Sequence, residues 1–226
     1  SGTGSWASAL ALFGYVAAFS FAYVSLSAAT GALLLFGSVQ ATMIGFSLAH
    51  GERLRPRQIL GLCAALGGLI GLLLPGLSAP PWLGSSLMLA AGFAWGIYSL
   101  RGKRGGGDPT RTTAENFLRA VPFTLALSAF AVPWLSIDPI GAVYALLSGA
   151  IASGVGYAIW YTALRGLAGT QAAAVQLSVP VIAALGGILL LGERPTARLA
   201  IAAVAILGGI WLMIRVDSTP PRSTSG

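Results

Sequence analysis

The 226-residue sequence holds one cysteine and one histidine, and those two scarcities close off several kinds of chemistry. A lone thiol, Cys63, cannot form an internal disulfide or join a multi-cysteine metal site, and its place inside an apolar run predicts a small buried residue. His50, at the end of an apolar run, reads as an interfacial side chain rather than a ligand. No serine-histidine-acid set, cysteine-histidine pair or metal-ligand spacing occurs, so neither an enzyme site nor a cofactor is expected. Acids are also scarce, limited to Glu52, Asp108, Glu115, Asp138, Glu193 and Asp217. Each falls in a predicted loop or at the end of an apolar run. No visible span therefore offers the buried carboxylate of a proton relay, which favours facilitated diffusion or exchange.

Charged residues of both signs make up 8% of the chain, against roughly 25% in soluble domains. What is abundant is apolar: 56% of residues are hydrophobic and the mean hydropathy is +0.82. A helix crosses about 30 Å of hydrocarbon in about 20 residues and satisfies its own backbone there. Eight segments meet that requirement, at 6–27, 30–50, 57–75, 82–101, 114–133, 140–164, 171–191 and 198–215. The expected class is all-α, a polytopic helical membrane protein. Trp6, Trp82 and Trp134 fall near span ends, as interfacial aromatics do.

The net charge of +7 and pI near 10.3 would suggest nucleic acid in a soluble protein. Threading the spans sorts the cations by membrane face instead. Arg53, Arg55, Arg57, Arg101, Lys103, Arg104, Arg111, Arg119, Arg165, Arg215 and Arg222 share one side, and Arg194 and Arg198 the other. The positive-inside rule makes the first side cytoplasmic, with the C-terminus inside a plasma (bacterial inner) membrane. Nucleic acid is set aside as a partner. The bilayer and a small organic solute remain, and a homodimer is left open.

The chain also repeats itself. Laid over 192–211, residues 51–70 match at Gly51/Gly192, Glu52/Glu193, Arg53/Arg194, Arg57/Arg198, Ala64/Ala205, Leu66/Leu207, Gly67/Gly208 and Gly68/Gly209. Five predicted spans separate the copies, so the second is inverted relative to the first, an architecture recurrent in transporters. A five-span unit is complete over 76–216, whereas 1–75 shows only three spans. The eight visible spans are therefore expected to belong to a ten-span protein built from an inverted five-helix repeat, with two spans absent before Ser1. Ser1-Gly2-Thr3-Gly4-Ser5 lacks the basic region and cleavage pattern of a signal peptide. Residues 217–226 read as a disordered cytoplasmic tail.

The paired Gly-Glu-Arg junctions, the glycine-rich runs "LGLCAALGGLIGLLL" and "LAIAAVAILGGIWLMI", and the run "QLSVPVIAALGGILLLGER" resemble the EamA-type drug/metabolite transporter superfamily. The resemblance covers nearly all of 6–215. In the first repeat Val39-Gln40 stands where the family usually has a mid-helix proline. The resemblance implies alternating-access carriage of small organic metabolites, with export of amino acids or related compounds. A non-transporting scaffold or inactive remnant is the alternative.

Candidate solute contacts follow from polar or broken positions near mid-span. Pro180 has no N–H and so frees the carbonyl of Gln176, four residues back, beside that residue's own side-chain amide. Gln40, mid-span, must find a partner, which is either another helix or the solute. Tyr157, Trp160, Tyr161 and Leu164 share a helix face, and Met88, Trp95 and Tyr98 nearly do. Such faces either wrap an organic solute or pack, and packing is the commoner outcome. Tyr15, in the first span, is a weaker candidate. An uncharged surface of this kind favours a neutral or zwitterionic solute. Glu52-Arg53 and Glu193-Arg194 are expected to anchor span ends by charge pairing. Gly67-xxx-Gly71 and Gly92-xxx-Gly96 offer small faces for close helix approach. Thr112-xx-Glu115 reads as a capping box opening the fifth span, which Pro122 should bend.

Overall fold

The structure, a computed structural model, describes residues 4–74, 81–134, 138–191 and 194–215, without the side chains of residues 134, 187, 190 and 191. Among these residues every regular element is helical. In chain order they are α1 (Trp6–Ala22), α2 (Ala28–Ala49), α3 (Pro56–Leu73), α4 (Trp82–Arg104), α5 (Pro109–Ala131), α6 (Pro139–Leu146), α7 (Gly156–Leu164), α8 (Gly169–Gln176), α9 (Val179–Leu191) and α10 (Ala197–Ile214). A π-helical stretch, Leu147–Val155, joins α6 to α7 and makes Pro139–Leu164 one helical rod.

The helix starts follow from local chemistry. Ser5, Ser27 and Thr196 each accept the main-chain N–H three residues on, which caps α1, α2 and α10. The fifth helix departs from expectation. It begins at Pro109 rather than near 114, with Asp108 Oδ1 accepting from Arg111 N at 2.7 Å. Proline at the first helical position after an aspartate outcompetes the Thr112 capping box. Glu115 is left to pair with Arg111 and Arg119, at 3.2 and 3.4 Å. The helix runs unbroken through Pro122.

Six helical stretches have the length and apolarity to cross a membrane: Ala28–Ala49, Pro56–Leu73, Trp82–Arg104, Pro139–Leu164, Gly169–Gly186 and Ala197–Ile214. Two of the eight predicted spans are weaker. The 17 residues of α1 rise only about 26 Å, and the first turns of α5 carry Arg111, Glu115 and Arg119. Large apolar side chains cover the outside: Leu118, Phe130 and Leu146 are each at least 70% exposed. An apolar exterior this extensive belongs in lipid.

The described chain divides into two compact units, Ser1–Glu52 with Leu73–Gln176, and Arg53–Leu72 with Leu177–Gly226. In the first, α1 and α2 pack on α4, α5 packs on α1 and α7, and α8 packs on α2. The fully buried Leu12, Val39, Met43, Met88, Tyr98 and Leu164 fill its core. Gly92 and Gly96 bring α4 against α2 as expected: a Cβ at Gly92 would lie 2.6 Å from the Leu35 carbonyl oxygen, and one at Gly96 2.7 Å from Thr42.

In the second unit α9 packs on α10, and the glycines that matter on α3 are not the expected pair. A Cβ at Gly67 or Gly71 would meet nothing, whereas one at Gly61 would lie 2.5 Å from the Gly209 carbonyl oxygen and one at Gly68 2.9 Å from Ile206. Cys63 lies off that face and is exposed, not buried.

Candidate substrate site

The polar centre of the first unit joins α2, α4 and α8. The Gln40 side chain, 4% exposed, donates through Nε2 to the main-chain carbonyl of Ala173 at 2.6 Å. A carbonyl only accepts, so this bond fixes the amide's orientation and turns Oε1 the other way. That oxygen is buried without a partner among the described residues. Gln176, also buried, accepts from Trp95 Nε1 and donates through Nε2 to Met43 Sδ at 3.1 Å.

Aromatic rings continue outward from Trp95. Tyr15 and Tyr157 lie 4.9 Å from it and Tyr98 6.0 Å, centroid to centroid. Tyr161 meets Tyr98 edge-on at 5.2 Å, and Phe117 lies 5.6 Å from Tyr157. Asn116 Nδ2 donates to the Tyr98 hydroxyl at 3.5 Å. Six of the residues singled out in the sequence, Tyr15, Trp95, Tyr98, Tyr157, Tyr161 and Gln176, thus form one connected set. Gln40 joins it along α2 and α8, through Met43 and Ala173. Trp160 is half-buried against the same core.

Three participants escaped the sequence reading. Met43 stands three residues after Gln40, so helical spacing would have placed it on the same face. Phe117 and Asn116 lie on α5, where the polar first turns drew attention to capping instead.

The predicted seventh span is interrupted: α8 ends at Gln176 and α9 starts at Val179, after a turn at Leu177-Ser178. Pro180 is the second residue of α9, and its missing N–H leaves the Gln176 carbonyl without the usual helical donor. Pro180 belongs to the second unit.

The first Gly-Glu-Arg junction closes α2. Gly51 adopts φ +92°, a left-handed conformation that glycine enters without a Cβ penalty. The N–H of Gly51 bonds the Leu48 carbonyl at 3.1 Å and that of Glu52 the Ser47 carbonyl at 3.0 Å, which completes a Schellman motif. The Glu52 side chain then caps α8: Oε1 accepts from Gly169 N at 2.9 Å and Oε2 from Thr170 N at 3.2 Å. Lys103 Nζ lies 3.8 Å from Oε1. Burial pushes the Glu52 carboxyl upward, but these donors and the ammonium outweigh it and hold its pKa below the ordinary carboxylate value. Arg53 and Arg194 are exposed. Glu193 lies outside the described residues.

This interior offers amide and ring groups without a charged side chain or a metal-ligating cluster among the described residues. Its amide and ring groups are of the kind that contact an uncharged or internally compensated organic molecule. Comparison with known proteins agrees with that reading. An uncharacterized protein of Pseudomonas aeruginosa is 58% identical over 211 residues, 93% of this chain and 73% of the relative. A probable amino-acid metabolite efflux pump of Escherichia coli is 28% identical over 87% of this chain and 71% of its own length. The threonine/homoserine exporter of Escherichia coli is 32% identical over 60% of this chain and 47% of its own. The EamA-like transporter family matches residues 82–215, more than half of the sequence. With its long apolar helices and uncharged interior, the chain belongs to the EamA-like transporter family and is a multi-pass membrane transporter rather than an enzyme.

Proposed function

We propose that this transporter carries small organic metabolites, amino acids or related neutral or zwitterionic compounds, out of the cytoplasm by alternating access. The observation that carries the reading is the set of the buried Gln40 and Gln176 with the half-buried Trp95 and Tyr157, which supplies hydrogen bonds and aromatic faces but no fixed charge. A phosphorylated solute would call for arginine or lysine there. The unpaired Gln40 Oε1 is an acceptor for an ammonium or hydroxyl group, and aromatic faces attract cations. The names of the two Escherichia coli relatives, an efflux pump and an exporter, support the solute class and the direction.

In this mechanism residues 1–75 close a first repeat and 76–216 form an inverted second one, within a ten-span carrier of the bacterial inner membrane. The arginine-rich end of the first unit faces the cytoplasm, as does the 217–226 tail. Within the first unit, α8 ends at Gln176 with its main-chain carbonyl beside the solute path.

Counterflow of radiolabelled amino acids into proteoliposomes holding the full-length protein tests the proposal. Uptake that depends on trapped unlabelled solute and saturates is the expected result. No counterflow with any member of a broad amino-acid and amine panel, from protein shown to be folded, would refute it.

A further inference from the structure

A groove of about 530 Å³ runs along the first unit between α2 and α4. Gly45 and Phe46 of α2 face Phe93 and Ile97 of α4 across it, and Arg101 and Arg104 stand at one end. From Phe93 to Arg104 the helix advances about 16 Å at 1.5 Å per residue, close to half of a hydrocarbon core about 30 Å thick. The groove is therefore about as long as one lipid leaflet is deep, and both guanidiniums stand in the last turn of α4, a helix long and apolar enough to cross a membrane.

Arg101 donates to the hydroxyls of Ser8 and Ser5, at 3.0 and 3.1 Å, and the Arg104 guanidinium lies 4.5 Å above the Phe46 ring. Among the described residues neither reaches a carboxylate within 4.0 Å. Phe93 is 56% exposed, so the described residues leave the apolar wall uncovered.

We propose that this groove holds an anionic phospholipid, one acyl chain against Gly45, Phe93 and Ile97 and its phosphate between Arg101 and Arg104. Basic pockets between membrane helices suit anionic headgroups, and each nearby cation favours them several-fold. A zwitterionic lipid brings its own ammonium to the same place and gains less. The assignment is independent of which solute the protein carries.

The test uses the full-length protein in mild detergent with equal amounts of phosphatidylglycerol and phosphatidylethanolamine of the same acyl composition, reading retained lipid by native mass spectrometry. Wild type should retain phosphatidylglycerol with a preference of about thirty-fold, the combined effect of two cations. Arg104→Gln should reduce that preference about five-fold, and Arg104→Lys should restore it. Gly45→Leu fills the groove where an added Cβ meets no atom within 4 Å, and it should abolish the adduct without lowering thermal stability. Equal retention of the two lipids would overturn the proposal, as would an unchanged preference in Arg101→Gln/Arg104→Gln. A lipid-free dimer that Gly45→Leu dissociates would assign the groove to a second copy of the chain and likewise overturn it.

Discussion

Removing the Glu52 carboxylate tests the structural account of the first junction most directly. Glu52→Ala leaves the first two N–H groups of α8 without their acceptors at 2.9 and 3.2 Å. Loss of a helix cap costs about 0.5–2 kcal/mol, and loss of an anion at a helix N-terminus about 0.3–1 kcal/mol. The Lys103 ammonium contributes only a few tenths, because it lies 3.8 Å away and the two side chains are 27% and 30% exposed. The expected total is about 1–2 kcal/mol, a fall of about 3–6 °C in apparent Tm for a chain of this size. Glu52→Gln keeps one acceptor and should lie between wild type and alanine. The pH dependence has a definite sign. The folded carboxyl titrates below its ordinary value, so its contribution is fully present above the unfolded pKa of about 4.3 and is lost as pH falls through the lower folded value. Melting of detergent-solubilised protein should show a constant gap between wild type and Glu52→Ala from about pH 8 to 5.5 that closes only below about pH 4. Lys103→Met destabilising as much as Glu52→Ala would refute the capping account, and so would a gap that widens on acidification.

Gly51→Ala should lower apparent Tm through backbone strain of about 1–2 kcal/mol at φ +92°, since its Cβ meets no neighbour. Gly102→Ala would set a Cβ against Tyr161 Cε1, so Tyr161 must move; a loss of about 1–3 kcal/mol is expected, while Gly106→Ala, whose Cβ would meet no neighbour, should leave the melting curve unchanged. Gln176→Leu should reduce counterflow about ten-fold or more, the equivalent of one buried hydrogen bond, and by more than Gln40→Leu; equal or reversed effects would contradict the placement of the solute beside the freed Gln176 carbonyl.

Much of this was legible in the sequence where the cause is local. The long apolar runs of α2, α4 and α10 announce themselves by length, and Gly92-xxx-Gly96 packs as a small face should. The start of α5 was also written locally, in Asp108-Pro109, but the hydrophobic pattern begins later and drew the boundary inward. Polar first turns are helical here because Arg111, Glu115 and Arg119 pair along one face. The choice among α3 glycines was not legible. Gly61, Ala65 and Gly68 recur at helical spacing and meet Gly209 or Ile206, yet Gly67 and Gly71 recur just as well, and only the partner helix decides. Cys63, two residues from Gly61, is turned off that face by the same geometry. Nor could any local pattern show that Glu52 reaches residues 117 and 118 positions away.

That long-range bond explains why the junction needs its glycine and its acid together. A helix as short as α8, eight residues, is too short to be stable alone and opens with unsatisfied N–H groups. The turn at Gly51 points Glu52 at those groups, and Gln40, three turns back on α2, holds the Ala173 carbonyl near the other end. Both fixings come from α2, so α8 keeps its place only as well as α2 and its terminal turn do. Gln176, the last residue of α8, meets Trp95 from that braced position. A junction variant can therefore reduce transport without the junction ever touching solute. The two cases separate by measurement: a brace lost at Glu52 lowers thermal stability and transport together, whereas a lost solute contact raises the half-saturation concentration at an unchanged melting temperature.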